Sequence, residues 1–127
     1  VADHRPDVEL RIPADGAFLS VLRTATAGLA ARLDFTLDDI EDLRIAVDEA
    51  CAVVLPQAQP ESDLRCAFYL APDTLQVEVS ARCESPQLPR KDGFAWTVLT
   101  ALTSSLEADV DGDTLTVTLS RTSGETG

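Results

Sequence analysis

The 127-residue sequence has no methionine, one histidine (His4), one tryptophan (Trp96) and one tyrosine, and these scarcities exclude more than its abundant residues do. A lone histidine in the N-terminal segment leaves nothing from which to build a histidine-based nucleophile triad or a His-rich zinc site. The three cysteines, Cys51, Cys66 and Cys83, are an odd set without CxxC spacing. That argues against a metal ribbon and against a disulfide-dense secreted scaffold, so no metal is expected. Small, buried apolar filler in a reducing cytoplasm is the expected role of all three. A redox role is chemically open to them, but nothing in their spacing supports it. No run approaches 18 consecutive apolar residues, and the charged opening Asp3-His4-Arg5 does not read as a secretory signal; the expectation is a cytoplasmic protein without a membrane span. Gly-rich phosphate loops, GxGxxG, GxSxG and HExxH are all missing.

Basic residues are the other shortage. Ten Lys and Arg stand against 22 Asp and Glu, for a net charge of −12. Such a chain repels phosphate backbones and anionic membranes, so direct nucleic-acid or membrane binding is not expected. The same field suits a basic protein partner, or simply keeps the chain soluble; on charge alone both readings stand.

What is present is ordinary for one domain: 45% apolar and 25% charged residues, with six Gly and seven Pro. Val8, Leu10 and Ile12 alternate with Asp7, Glu9 and Arg11, the period of a half-buried strand. Asp15 can cap a helix whose stripe is Phe18, Leu22, Ala25, Leu29 and Leu33, with Gly16, Ser20, Arg23 and Ala27 on its opposite face. Thr36 caps a second helix that turns Leu37, Ile40, Leu43, Val47, Cys51 and Val54 inward and stops at Leu55. Its Asp38, Asp39, Glu41 and Asp42 read as an exposed acidic face. Leu64–Leu70 and Leu75–Ala81 alternate and are joined by Ala71-Pro72-Asp73-Thr74, which predicts a hairpin. After a proline-bearing loop, Asp92 is placed to cap a third helix through Phe94, Val98, Leu99, Leu102 and Leu106. A short strand at Glu107–Val110, a turn at Asp111-Gly112-Asp113 and a last strand over Leu115–Leu119 complete the chain. The expected order is β-α-α-β-β-α-β-β. One-sided helices and strands imply a two-layer α/β sandwich, its sheet mixed but mostly antiparallel, with three helices on one face. Residues 1–127 form a single unit in this reading, with flexible ends at 1–6 and 122–127.

The run Asp39-Ile40-Glu41-Asp42-Leu43-Arg44-Ile45-Ala46-Val47-Asp48-Glu49-Ala50-Cys51, together with "GFAWTVLTAL" before the last strands, resembles a known family. It is similar to the anti-sigma factor and serine kinase group of the RsbW and SpoIIAB type, within the GHKL (histidine-kinase-like) ATPases. In particular it resembles the actinobacterial anti-sigma-F branch typified by UsfX. The resemblance implies the same two-layer fold, a homodimer, and binding of an alternative sigma factor released by a STAS-type anti-anti-sigma protein. It also implies an ATP site that this sequence has eroded. Active kinases of the family carry Glu-x-x-x-Asn on the second helix, the Asn holding Mg²⁺; here Glu49 is followed by Val53, which has no lone pair. The family's Asp-x-Gly, whose carboxylate reads adenine, is replaced by Ala81 and Cys83, and its Gly-x-Gly survives as Gly93 and Ala95. The expectation is therefore a non-catalytic regulator with Glu49 a vestigial base, no cofactor beyond weak ATP and Mg²⁺, and an active serine/threonine kinase as the alternative. By the same resemblance Arg23 marks the partner surface, flanked by Gly16, Ser20 and Ala27. Trp96 is expected to plug the vacant pocket or join the core, its alternative being an exposed anchor.

Overall fold

A computed structural model describes residues 5–124; His4 and the outermost parts of both expected flexible ends lie outside the described residues. The strands are β1 (Val8–Pro13), β2 (Asp63–Ala71), β3 (Thr74–Arg82), β4 (Ser105–Asp111) and β5 (Thr114–Thr122). The helices are α1 (Leu19–Arg32), α2 (Leu37–Val54) and α3 (Phe94–Leu102). The strands form one sheet in the order β1-β2-β3-β5-β4, and every pairing is antiparallel. The parallel component allowed for by a mixed sheet is absent from the described residues, because each neighbouring pair is a hairpin or an antiparallel return. Thr122, placed by its sequence position in a flexible end, instead closes β5 opposite Thr74. Their hydroxyls meet at 3.0 Å.

Strand alternation sets the two layers. Leu64, Cys66 and Phe68 of β2, Leu75, Val77 and Val79 of β3, and Leu115, Val117 and Leu119 of β5 point to the helices and are buried. α2 supplies the opposing surface with Leu43, Ala46, Val47, Ala50, Cys51 and Val54. This helix starts as its residues dictate: the Thr36 hydroxyl accepts from Asp39 N at 3.1 Å, and Asp38 and Asp39 face the positive end of the helix dipole. It ends at Val54, and Leu55–Gln57 tighten into a 3₁₀ turn that accommodates Pro56.

Two helices differ from the periodic reading. Asp15 caps a 3₁₀ turn over Gly16–Phe18, accepting from Ala17 N at 2.9 Å, before α1 begins at Leu19. The tighter winding rotates the stripe: Leu22, Thr26 and Ala30 are buried, while Phe18 is exposed. Thr26 tolerates burial because its hydroxyl donates to Leu22 O at 2.8 Å. Gly16 consequently lies in the turn, off the helical face that carries Ser20, Arg23 and Ala27. In α3 the N-cap is Gly93, since the Asp92 carboxylate is taken by Arg90 at 3.0–3.1 Å. Trp96 and Leu99 are its buried residues, and Phe94 is 79% exposed. Leu106 falls beyond the helix, in β4.

Asp39 is the largest departure. It is 4% exposed, not part of a solvated acidic face, and bonds Arg121 of β5 at 2.9 and 3.1 Å. Asp42 joins the same guanidinium at 3.1 Å, whereas Glu41 pairs locally with Arg44 at 3.2 Å. Among the described residues no helix is long and apolar enough to cross a membrane.

Candidate functional site

Two surfaces carry the residues singled out by sequence. On α2, Glu49 and Val53 are spaced by one turn and share a face. Glu49 is half-buried and makes no hydrogen bond or ion pair with any described residue, so its carboxylate is uncommitted. Val53 packs against the core. Ala81 ends the inward row of β3, Cys83 follows just beyond the strand in an isolated bridge with Ala58, and both belong to the same core as Cys51 and Val54. Cys83 is 0% exposed; its thiol donates to Ala81 O at 3.6 Å and its amide donates to Asp113 O at 2.7 Å. Gly93 has a local explanation. Its amide donates to Arg90 O at 3.1 Å, and an added Cβ would lie 3.2 Å from that same carbonyl.

The segment between β3 and α3 crosses this end of the molecule and is fastened by Gln57. The Gln57 carboxamide accepts from Gln87 N at 2.8 Å and donates to Gln87 O at 3.1 Å. It also reaches Val53 O at 3.4 Å, tying the segment to the end of α2. Nothing in the sequence spacing singles out Gln57, because its partner lies 30 residues away. We expect Gln57→Ala to cost about 1 kcal/mol, since two of the three hydrogen bonds are exposed and water replaces them. Amide exchange at Gln87 should rise with global stability nearly unchanged; unaltered exchange would show that the clasp does not hold the segment.

The thiols are poor nucleophiles where they sit. Burial pushes Cys66 up to about 12, and raises Cys51 and Cys83 as well, so all three remain protonated at neutral pH. Trp96 joins the core with the Lys91 ammonium 5.8 Å from its ring centroid. No group of three or more His, Cys, Asp or Glu among the described residues is disposed to hold a metal ion.

The second surface is the outer side of the α1–α2 pair. Arg23 Nε donates to both oxygens of Asp48, at 2.8 and 3.1 Å, and both side chains are roughly 40% exposed. Arg23 and Ala27 line a cavity of about 440 Å³ with Thr24, Gly28 and Arg44. Ser20 is exposed one turn before Arg23 and does not line that cavity, nor does Gly16. Periodicity on α1 alone passes over Arg44 and Asp48. Their signal lies on the neighbouring helix, where Glu41, Arg44, Ile45 and Asp48 recur at helical spacing as an exposed or half-exposed row.

This chain is 35% identical over 105 residues to the anti-sigma-F factor RsbW of Mycobacterium tuberculosis, an alignment covering 83% of this chain. It is 38% identical over 84 residues, 65% of its length, to the serine-protein kinase RsbW of Halalkalibacterium halodurans. The chain is a homologue of the RsbW proteins. It spans 62% of the mycobacterial RsbW and 52% of the Halalkalibacterium one. No family model matches it. The fold agrees with a crystal structure of the RsbU and RsbW domains of a Mycobacterium tuberculosis protein, at TM-score 0.70 and 18% identity over 93% of this chain and 33% of that one. RsbW proteins thus appear among its relatives under two descriptions, anti-sigma factor and serine-protein kinase, and the site must be read against both.

Proposed function

We propose that this RsbW homologue is an anti-sigma factor that sequesters an alternative RNA polymerase sigma factor by direct binding. Release comes from a STAS-type anti-anti-sigma protein competing for the same surface, and the regulator acts as a homodimer. The observation that carries this reading is the contrast between its two surfaces. The α1–α2 face presents a guanidinium held in place by Asp48 beside a cavity floored by Ala27 and Gly28, which suits capture of a partner's carboxylate. A charge of −12 adds attraction for a basic partner.

The nucleotide side fits poorly. Mg²⁺ bridging ATP phosphates needs hard oxygen ligands, and Val53 supplies a hydrocarbon at that position. The adenine reader implied by the resemblance is a carboxylate, but Ala81 offers a buried methyl and Cys83 a thiol fully covered by the core. Gly93 is accounted for by its turn. These residues do not fit Mg-ATP, so no phosphoryl step is derived. Control of release is assigned to competition between protein partners.

The kinase reading has one observation in its favour, the uncommitted Glu49 carboxylate. Light scattering on mixtures of this chain with stress-type sigma factors, with and without Mg-ATP, separates the two. A stable complex indifferent to nucleotide is expected; a complex formed only with Mg-ATP, or phosphate transfer to a STAS protein lost in Glu49→Ala, would reverse the assignment. Val53→Asn alone is expected not to restore nucleotide binding, because each missing polar contact costs about 1–3 kcal/mol and two others remain. Micromolar ATP affinity in that variant by calorimetry would overturn the reading.

A further inference from the structure

The sheet face turned away from the helices carries an arrangement outside the surface proposed for the sigma factor. One row across it runs Arg11 of β1, Arg65 of β2 and Ser80 of β3 as directly opposed neighbours. Like charges facing each other across an antiparallel pair are destabilising. Yet a chain with only ten basic residues against 22 acidic places two of them side by side here. Arg82, two residues beyond Ser80, points to the same face.

These four residues line a concavity of about 510 Å³, one wall of which is the Gln59–Asp63 segment. That volume lies in the range of small-molecule sites. Ser80 forms part of its floor; the residue is 6% exposed, and its hydroxyl, which bonds no described residue, is open to the concavity. A hydroxyl that faces the concavity without an internal bond is available to donate to a group seated there. Carboxylates hold two of the arginines, and Arg65 also bonds Tyr69 and has Glu78 3.8 Å from its Nη1, so Arg11 is the least committed of the three. Glu9 holds Arg65 Nε at 2.6 Å, and Asp113 holds Arg82 at 3.0 and 3.1 Å. Arg11 has only Glu9, 3.9 Å from its Nε, so its terminal nitrogens are uncommitted. Glu61 and Asp63 on the wall lower the net positive charge of the concavity.

We propose that this concavity binds the oxyanion group, phosphate or carboxylate, of a small molecule. Arg11 and Arg65 fork onto the oxyanion, the Ser80 hydroxyl donates to it from the floor, and Arg82 closes the opposite side. Planar guanidinium pairs are suited to that geometry, and charge-assisted bonds give it strength. The site is independent of the α1–α2 surface and stands whether or not a sigma factor binds there.

Titrating the whole chain with inorganic phosphate and, separately, with succinate, while following amide and arginine Nε resonances, tests this. Sodium chloride at equal ionic strength is the control. Saturable shifts confined to Arg11, Arg65, Ser80 and Arg82 are expected with at least one anion. The tighter of the two identifies the ligand as phosphorylated or carboxylated. Arg11→Gln should weaken binding about tenfold, and Ser80→Ala about threefold or more, as expected for charge-assisted and neutral bonds respectively. Arg90→Gln, on the exposed segment before α3, should leave affinity unchanged. No saturation with either anion, shifts matched by chloride, or equal affinity in Arg11→Gln would overturn the proposal.

Discussion

Replacing Arg121 with leucine is expected to remove about 3–5 kcal/mol of stability, the cost of leaving a buried charge without its partner. Arg121 occupies an inward position of β5, after Leu115, Val117 and Leu119, and is 7% exposed. Its Nε and Nη2 donate to Asp39 Oδ1 at 3.1 and 2.9 Å, Nη1 donates to Leu102 O at 2.8 Å, and Asp42 lies 3.1 Å away. One guanidinium therefore joins the start of α2, the end of α3 and the end of β5. Leucine matches the β5 pattern but strands the Asp39 carboxylate and the Leu102 carbonyl. Urea denaturation should show the midpoint falling with little change in slope. Asp39→Leu combined with Arg121→Leu should recover part of the loss, since the stranded carboxylate then leaves with its partner while the Leu102 carbonyl stays unpaired. A cost under about 1 kcal/mol for the single variant would mean that water reaches Asp39 as it does a surface pair.

Acid should reveal the same cluster. Burial pushes the Asp39 carboxyl up, but hydrogen bonds from Arg121, the Gly124 amide and Thr36, with the charge of Arg121, outweigh it and hold it below its ordinary value. A carboxylate that titrates lower in the folded than in the unfolded chain contributes stability above the unfolded value. That contribution disappears as pH falls through the folded one. Stability should therefore drop below about pH 4, and Asp39→Asn should flatten that part of the profile. An identical acid limb in both proteins would exclude Asp39 as its source.

The residues that were legible in the sequence are those whose partners are implied by period. Leu75–Ala81 and Leu115–Leu119 alternate, and Leu43, Val47, Cys51 and Val54 recur by three or four, so the strands, α2 and the layer order follow from local chemistry. Thr26 in the core and Phe18 outside it were not legible. They depend on a 3₁₀ turn that shifts the phase of α1, and on a hydroxyl that satisfies itself against Leu22 O. Phe94, read into the apolar stripe of α3, lies outside the core because the turn closed by Gly93 sets where α3 begins, whereas Trp96 joins the core as expected. Asp39 and Arg121 are 82 residues apart, and no spacing rule connects them. A signal did exist at Arg121, a charge sitting at an inward position of an alternating strand. Arg11 and Arg65 become neighbours only through register, which pairwise strand order sets and one strand's pattern does not. At the proposed vestigial nucleotide site Val53, Ala81 and Cys83 are legible by residue type alone, whereas Gln57 and Gln87 lie 30 residues apart and no spacing rule connects them.

Charge reversal at Arg23 is expected to weaken binding of the sigma factor at least tenfold while leaving the fold intact. Arg23 is half-exposed on α1, so its ion pair with Asp48 contributes little to stability, under about 1 kcal/mol. Its value lies in orientation. With Nε committed to Asp48 at 2.8 Å, the terminal nitrogens bond no other described residue, and Arg23 lines the cavity formed with Ala27, Gly28 and Arg44. A carboxylate from a partner can be gripped there without the entropic cost of ordering a long free side chain. Arg23→Glu sets a negative charge against Asp48 and toward the partner, and tenfold corresponds to about 1.4 kcal/mol, modest for an arginine at an interface centre. Asp48→Ala keeps the cation but releases it, and should weaken binding by a smaller factor. Arg23→Asp combined with Asp48→Arg restores the ion pair with its polarity exchanged; it should recover thermal stability and not affinity. Calorimetric titration of the sigma factor into each variant, with melting curves alongside, separates these contributions. Equal affinity in Arg23→Glu and the parent would move the partner surface off α1, and recovery of affinity in the exchanged pair would mean that the pair matters only for folding.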